Sequence, residues 1–197
     1  REVGVTRIEV ILYQRGEGDL HYDDITIESI DAPSVGLTNP GFEVDEDGDG
    51  VPDAWRPFAS GDGFEFTMSQ DAHSGDYSGC ITAAPDHADR ACYGQTTSQI
   101  VMMPGYRLSF WVKGEGSSNG IFRYRYKDAD GVDADDTHSF KIDDLSADEW
   151  QERTFEFATS TATLEAGESR IEVLLYQRGE GTICFDDVRI EPLNEAP

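Results

Sequence analysis

The chain is short of positive charge, of cysteine and of long apolar runs. Lys and Arg number 15 against 40 Asp and Glu, and the formal net charge is −25. Only three of the basic residues are Lys. Nucleic acid and anionic membranes are poor partners for such a chain, because phosphate binding needs clustered Lys and Arg. Acidic polysaccharides are disfavoured too, unless a local Arg patch or a metal intervenes. Two explanations of the charge stand equally: a salt-rich habitat, where salt screens the self-repulsion, and an ordinary acidic secreted protein. No apolar run approaches the roughly 20 residues that a membrane helix needs, and no signal peptide is evident. The three cysteines are too few for a disulfide framework. Cys80 and Cys92 flank the turn-rich stretch Ala84-Pro-Asp-His-Ala-Asp89 and can pair across neighbouring strands, with buried free thiols as the alternative.

Catalytic motifs are missing as well. There is no His-Glu-x-x-His, nucleophile elbow or phosphate loop. His21, His73, His87 and His138 lie far apart in sequence. Among so many acids a glycosidase carboxylate pair has no address. The expectation is a non-catalytic protein.

What the chain does contain is a repeat. Arg7-Ile-Glu-Val-Ile-Leu-Tyr-Gln-Arg-Gly-Glu-Gly18 returns as Arg170-Ile-Glu-Val-Leu-Leu-Tyr-Gln-Arg-Gly-Glu-Gly181. Over 24 aligned positions, 15 are identical at an offset of 163, which reads as a module length. The expected organisation is the closing hairpin of a preceding repeat at 1–31 and a complete module at 32–197, both cut from a tandem array. Cys184 aligns with His21, so the fold does not require a thiol at that place. A lone hairpin is marginal in water. The 7–28 segment is therefore expected to dock on the second module or to swap into a neighbouring molecule.

Alternation places the strands. Ile171, Val173 and Leu175 alternate with Glu172, Leu174 and Tyr176 up to the turn Gly179-Glu-Gly181, and Ile183 and Phe185 begin the return strand. Leu108, Phe110 and Val112 face away from Ser109, Trp111 and Lys113, and Phe122, Tyr124 and Tyr126 alternate with Arg123, Arg125 and Lys127. Tyr124, Tyr126 and Trp150 are expected in the core. Short strands at this spacing, with no helical pattern between them, make an all-β antiparallel sandwich or jelly roll.

An ordered set of short motifs then carries a resemblance. Asn39-Pro-Gly-Phe-Glu43, Trp55, His73-Ser-Gly-Asp-Tyr77, Tyr106-Arg-Leu-Ser-Phe-Trp-Val-Lys113, Trp150 and Phe185-Asp-Asp-Val188 follow one another over residues 36–193. The series resembles the jelly-roll carbohydrate-binding modules of families 4, 9, 16 and 22. The resemblance implies a secreted or cell-surface module. It also implies a structural calcium ion between Glu43 and Asp187, with Asp186 as a neighbour; a strand cap or turn is the alternative role for the two aspartates.

Asp45-Glu-Asp-Gly-Asp-Gly-Val-Pro-Asp53 carries a metal signature of its own. Asp45, Asp47, Asp49, Val51 and Asp53 match positions 1, 3, 5, 7 and 9 of an EF-hand calcium loop. Position 12, where a bidentate Glu belongs, is Arg56. The segment is similar to the isolated Asp-rich calcium loops of secreted bacterial proteins. A solvated acidic turn is the alternative reading.

Sugar binding needs flat aromatic rings and groups that bond vicinal hydroxyls in pairs. Trp55, Trp111, Tyr176, Gln177, Arg178 and Gln95 are of the right types. Alternation allows Trp111, Tyr176 and Arg178 to share one exposed face, with Trp55 as a loop platform; packing inside the sandwich is the competing role for each aromatic. Two function classes follow. The first is a calcium-stabilised module binding a polysaccharide, a neutral β-linked glycan given the net charge. The second is a structural repeat of a surface adhesin, filament or array that assembles by strand pairing.

Overall fold

A computed structural model of the protein describes residues 35–85, 89–166 and 168–197. The expected hairpin at 7–28, in which Tyr13 and Arg15 are the counterparts of Tyr176 and Arg178, and the domain boundary at 31/32 lie outside the described residues.

In chain order the strands are β1 (Arg56–Ala59), β2 (Phe64–Ser69), β3 (Ser78–Ala83), β4 (Arg90–Thr96), β5 (Ile100–Val101), β6 (Gly105–Gly114), β7 (Ser117–Lys127), β8 (Asp133–Ile142), β9 (Gln151–Ala158), β10 (Glu168–Arg178) and β11 (Gly181–Leu193). A single helical turn, α1 (Thr161–Ala166), joins β9 to β10, with the Ser160 hydroxyl accepting the Thr163 amide at 3.3 Å. One sheet has the order β1-β4-β10-β7-β8, with β5 also on β10; the other has the order β2-β3-β11-β6-β9. All pairings are antiparallel. The all-β sandwich expected from alternation is what the chain forms. The hairpin at 170–191 is present, and Gly179 and Gly181 carry its turn at φ +75° and +104°, values that L side chains rarely adopt.

The inward faces make the core. Leu108, Phe110 and Val112 of β6 meet Phe122 and Tyr124 of β7 and Ile171, Val173 and Leu175 of β10, all fully buried. Tyr126 is half-buried, and Trp150 lies outside the core cluster, its indole N–H reaching Asp71 at 3.3 Å. Trp150 misses the core because it precedes β9 in a loop, where no alternation directs it inward.

The Asn39-Pro-Gly-Phe-Glu43 motif closes one end of the sandwich. Phe42 is fully buried and stacks on Trp55 at a centroid separation of 4.6 Å, while the indole N–H of Trp55 donates to the Asn39 carbonyl at 2.8 Å. Gly79 makes room for that stack: a Cβ there would come within 2.4 Å of the Phe42 ring. The Asn39 side chain in turn donates to the carbonyls of Val44 and Asp53.

The cysteine expectation needs correction. Cys80 bonds to Cys184, not to Cys92, because β3 lies beside β11 and the two residues are direct cross-strand partners. Cys92 is free and buried on β4, in the other sheet. Alternation cannot reveal which strands become neighbours, so the pairing was out of reach of the sequence.

Two outcomes follow. Trp55→Ala should lower the unfolding free energy by about 3–5 kcal/mol in a denaturant titration, the cost of a large cavity in a packed core. Burial pushes the Cys92 thiol up to about 11, so it should stay unreactive towards a disulfide reagent at pH 8 until the protein is unfolded.

Candidate functional site

The outward residues of β10 lie in the middle of the first sheet, and its pairings define rows that cross the sheet. One row runs Phe58, Cys92, Tyr176, Asn119, Lys141; the next runs Arg56, Gly94, Leu174, Ile121, Ser139. Thr96, Glu172, Arg123 and Thr137 form a third, and Arg90, Arg178 and Ser117 lie at the turn end. Cross-strand partners point to the same face, so these side chains share one surface.

Its floor is apolar and its relief is uneven. A Cβ on Gly94 would come within 2.7 Å of Leu174, so the small residue admits that side chain. Tyr176 is 6 % exposed, and the guanidinium groups of Arg90 and Arg178 lie 5.7 and 5.8 Å from its ring centre. Arg178 also donates to the Asn119 side-chain oxygen. Phe58, at the edge of the same row, is 54 % exposed. Glu172 is buried with Arg56, Arg123 and Arg125 within 4 Å of its carboxylate, the nearest contact being Arg123 at 3.0 Å.

The expected sugar ligands divide. Tyr176 and Arg178 stand on this face, but Trp111 does not: β6 belongs to the other sheet, so the two sides of the sandwich separate it from Tyr176. Trp111 is half-buried, with one face of its indole stacked on the His73 ring at 3.6 Å. Trp55 is 2 % exposed beneath Phe42, which leaves no face for a sugar. Gln95 points inward, and its amide exchanges two hydrogen bonds with the Thr38 backbone, at 2.6 and 2.8 Å. Gln177 is fully buried and donates to the Gly181 carbonyl at 3.1 Å, fastening the hairpin turn. Both glutamines satisfy backbone groups that would otherwise be buried without partners. Sequence reasoning missed Phe58, Arg90 and Asn119, whose place in a row depends on pairings between strands distant in sequence.

Carboxylates gather in two other places. In the acidic loop, ligand oxygens of Asp45, Asp47 and Asp49 lie within 4.8 Å of one another. Asp45 accepts the amides of Gly48 and Gly50, Asp49 accepts that of Val51, and Asp53 accepts that of Glu46. The loop is thus wound with its acids to one side. Asp47 accepts the Asp49 amide, which favours its charged form, yet the charges of Asp49 and Asp45 leave its carboxyl above the usual value. Arg56, at the twelfth position of the loop, lies on β1 beside Gly94, so that position offers no carboxylate.

The second gathering joins His73, Asp186 and Asp187, whose ligand atoms lie within 4.8 Å of one another, with the Glu43 side chain nearby. The Glu43 Cγ and a carboxylate oxygen each of Asp186 and Asp187 lie within 4 Å of the position a Cβ on Gly41 would take. Glu43 accepts the amides of Asp76 and Tyr77, and Asp186 accepts those of His73 and Ser74. Asp187 meets His73 Nδ1 at 2.8 Å and the Ser74 hydroxyl at 3.0 Å. A register shift between Asp186 and Arg189 turns both aspartates towards the 73–77 turn. Burial pushes the Asp186 carboxyl up to about 6, with the Asp187 charge adding to it against the turn amides.

No protein-family model and no curated protein matches the sequence. Solved structures do. A cyclase from Fischerella sp. TAU is similar at 16 % identity over 84 % of this chain and 100 % of its own, with a TM-score of 0.55. The CBM22-1-CBM22-2 tandem domain of Paenibacillus barcinonensis Xyn10C is similar at 15 % identity over 87 % of this chain and 50 % of its own, with a TM-score of 0.50. The enzymatically active domain of tailspike protein 4 of bacteriophage CBA120 matches at 15 % identity over 80 % of this chain, with a TM-score of 0.57; this chain spans about a fifth of its length, 21 %. The likeness shows a jelly-roll sandwich.

Asp186 yields a pH signature. Its folded-state pKa of about 6 lies above the ordinary 3.8. Its contribution to stability is therefore full below about pH 4 and is lost as pH rises through about 6. The stability of the wild type relative to Asp186→Asn, measured by denaturant unfolding in chelator, should accordingly decline between pH 4 and pH 7.

Proposed function

We propose that the protein is a non-catalytic carbohydrate-binding module, secreted or at a cell surface, whose polysaccharide lies across the outer face of the β1-β4-β10-β7-β8 sheet. The observation that carries this reading is the row Phe58–Cys92–Tyr176–Asn119. It sets an exposed aromatic ring, an arginine-flanked tyrosine one strand further in and a side-chain amide on one open face. A pyranose stacks its C–H face on such a ring, while Arg90, Arg178 and Asn119 are of the type that bonds vicinal hydroxyls. The carboxylates of the face are held in ion pairs, Glu172 and Asp135 with arginines and Asp133 with Lys127, which suits binding rather than proton transfer. The fold shared with the CBM22 tandem domain supports the reading, and the Cys80–Cys184 disulfide fits an oxidising compartment. Net charge favours a neutral β-linked glycan, although the charge of the face itself is a separate quantity.

Calcium belongs to the same proposal. Asp45, Asp47, Asp49 and Asp53, with the Val51 carbonyl, would hold one ion; Glu43, Asp187 and Asp186 would hold another. The proposed donors are oxygens, as a hard cation requires, with the His73 ring nitrogen also beside the second group, and both groups are already oriented by backbone amides. Each ion would relieve repulsion among the acids and tie loops to strand ends. Repetition of complete modules in a tandem array would add avidity by presenting several weak sites on one chain.

The test is a polysaccharide screen of the full chain with calcium and with chelator. Phe58→Ala or Arg178→Ala should weaken glycan binding about tenfold, the loss of a contact worth about 1.4 kcal/mol, with the melting temperature unchanged. Calcium should raise the melting temperature, and Asp49→Asn and Asp187→Asn should each remove part of that rise. Binding abolished by Trp111→Ala but untouched by Phe58→Ala would move the site to the opposite sheet. No glycan binding alongside a full calcium response would favour a structural repeat of a surface array.

A further inference from the structure

The sparse basic residues of this chain are not spread over it. Eight of its 15 Lys and Arg point outward from the first sheet, against three carboxylates among the residues whose side chains the structure describes, Glu172, Asp133 and Asp135. Arg56, Arg123 and Arg125 share two carboxylates, Glu172 and Asp135, more cations than the pair neutralises. Four others, Arg90, Lys141, Arg170 and Arg178, make no ion pair among the described residues. The face is positive on a molecule whose net charge is −25.

The unpaired cations mark the two ends of the face. A pocket of about 440 Å³ at the turn end has Lys141 and Arg178 with Ser117, Asn119 and Ser139 in its lining, and one acid, Asp143. A pocket of about 390 Å³ at the other end has Arg125, Lys127 and Arg170 with Thr96 and Ser169; its acids, Asp133 and Asp135, are already paired with Lys127 and Arg125. Arg170 and Arg178 are eight residues apart on β10, roughly 27 Å at the strand rise, long enough for several sugar units. Cations at both ends and an aromatic edge between them suit an extended chain that carries repeated negative groups.

We propose that the glycan taken by this face is acidic, a polysaccharide whose units carry carboxylate or sulfate groups. The inference rests on the carbohydrate-binding reading above. Guanidinium groups bond such groups through paired N–H donors, a geometry that a neutral hydroxyl answers less strongly. The acidic remainder of the protein does not cancel the patch. Beyond about 8 Å at physiological salt exposed charges are largely screened, so the ligand meets the local field. The expectation of a neutral glycan came from the total charge, whereas a ligand held on one face meets the charge of that face.

The experiment is calorimetric titration of the full 197-residue chain. Its ligands are galacturonate oligomers, a sulfated galactan fragment, neutral β-1,4-galactan and xylan oligomers, and a DNA duplex, each at low and at physiological salt. The expected result is binding of an acidic glycan at least about tenfold tighter than either neutral one, weakening as salt rises. The uronate and sulfate arms identify the anionic group. Arg170→Gln combined with Lys141→Gln, both exposed and unpaired, should weaken that binding about tenfold without moving the melting temperature. Neutral glycans bound as tightly as acidic ones would overturn the acidic inference and leave the carbohydrate-binding reading standing. No glycan bound at all would overturn both. DNA bound as tightly as the acidic glycan, or binding indifferent to the double substitution, would overturn the inference as well.

Discussion

Strand β10 is bonded on both sides, to β4 and to β7, so neither of its faces can turn without breaking two ladders. That constraint settles most of the molecule. Ile171, Val173 and Leu175 must enter the core, and Glu172, Leu174, Tyr176 and Arg178 must then stand on the outer face. A carboxylate buried at that position needs cations beside it, since an unpaired buried charge is costly. Arg56 from β1 and Arg123 and Arg125 from β7 supply them. The charge pattern of the face is thus a consequence of the register of one central strand.

A second set of constraints operates at the ends of the sandwich. The Asn39-Pro-Gly-Phe-Glu43 segment divides its labour: Asn39 closes the acidic loop, Phe42 fills the core against Trp55, and Glu43 receives the amides of the 73–77 turn. Gly75 in that turn has φ +67°, and a Cβ on it would collide with the Glu43 carboxylate, so the turn and the acid require each other. A calcium ion at either acidic group would reinforce a geometry that backbone amides already impose.

Total charge and local charge lead to different ligands. A surface dense in Asp and Glu keeps the protein soluble. It says nothing about one face that concentrates the arginines. Screening separates the two over distances shorter than the molecule, and so a strongly acidic protein can offer a basic groove.

Much of the fold was legible in the sequence. Alternation over 106–113, 122–127 and 170–176 is a local property, and it names the inward residues because a strand's side chains point to opposite faces by geometry alone. The turn glycines at 179 and 181 and the wound acidic loop belong to the same class. Which strands become neighbours is not local. The pairing of β3 with β11 brought Cys80 to Cys184, and the pairing of β1 with β4 brought Phe58 into the row of Tyr176. Placement of β6 in the opposite sheet carried Trp111 away from it. The aromatic and amide types that suit sugars also suit packing, so Trp55, Gln95 and Gln177 were consumed by the fold. By itself the sequence determined the strands, their faces and their turns, because those follow from residues two apart. Only the tertiary structure decided the disulfide, the candidate face and its charge, because strand neighbours are chosen by burial across the whole sandwich.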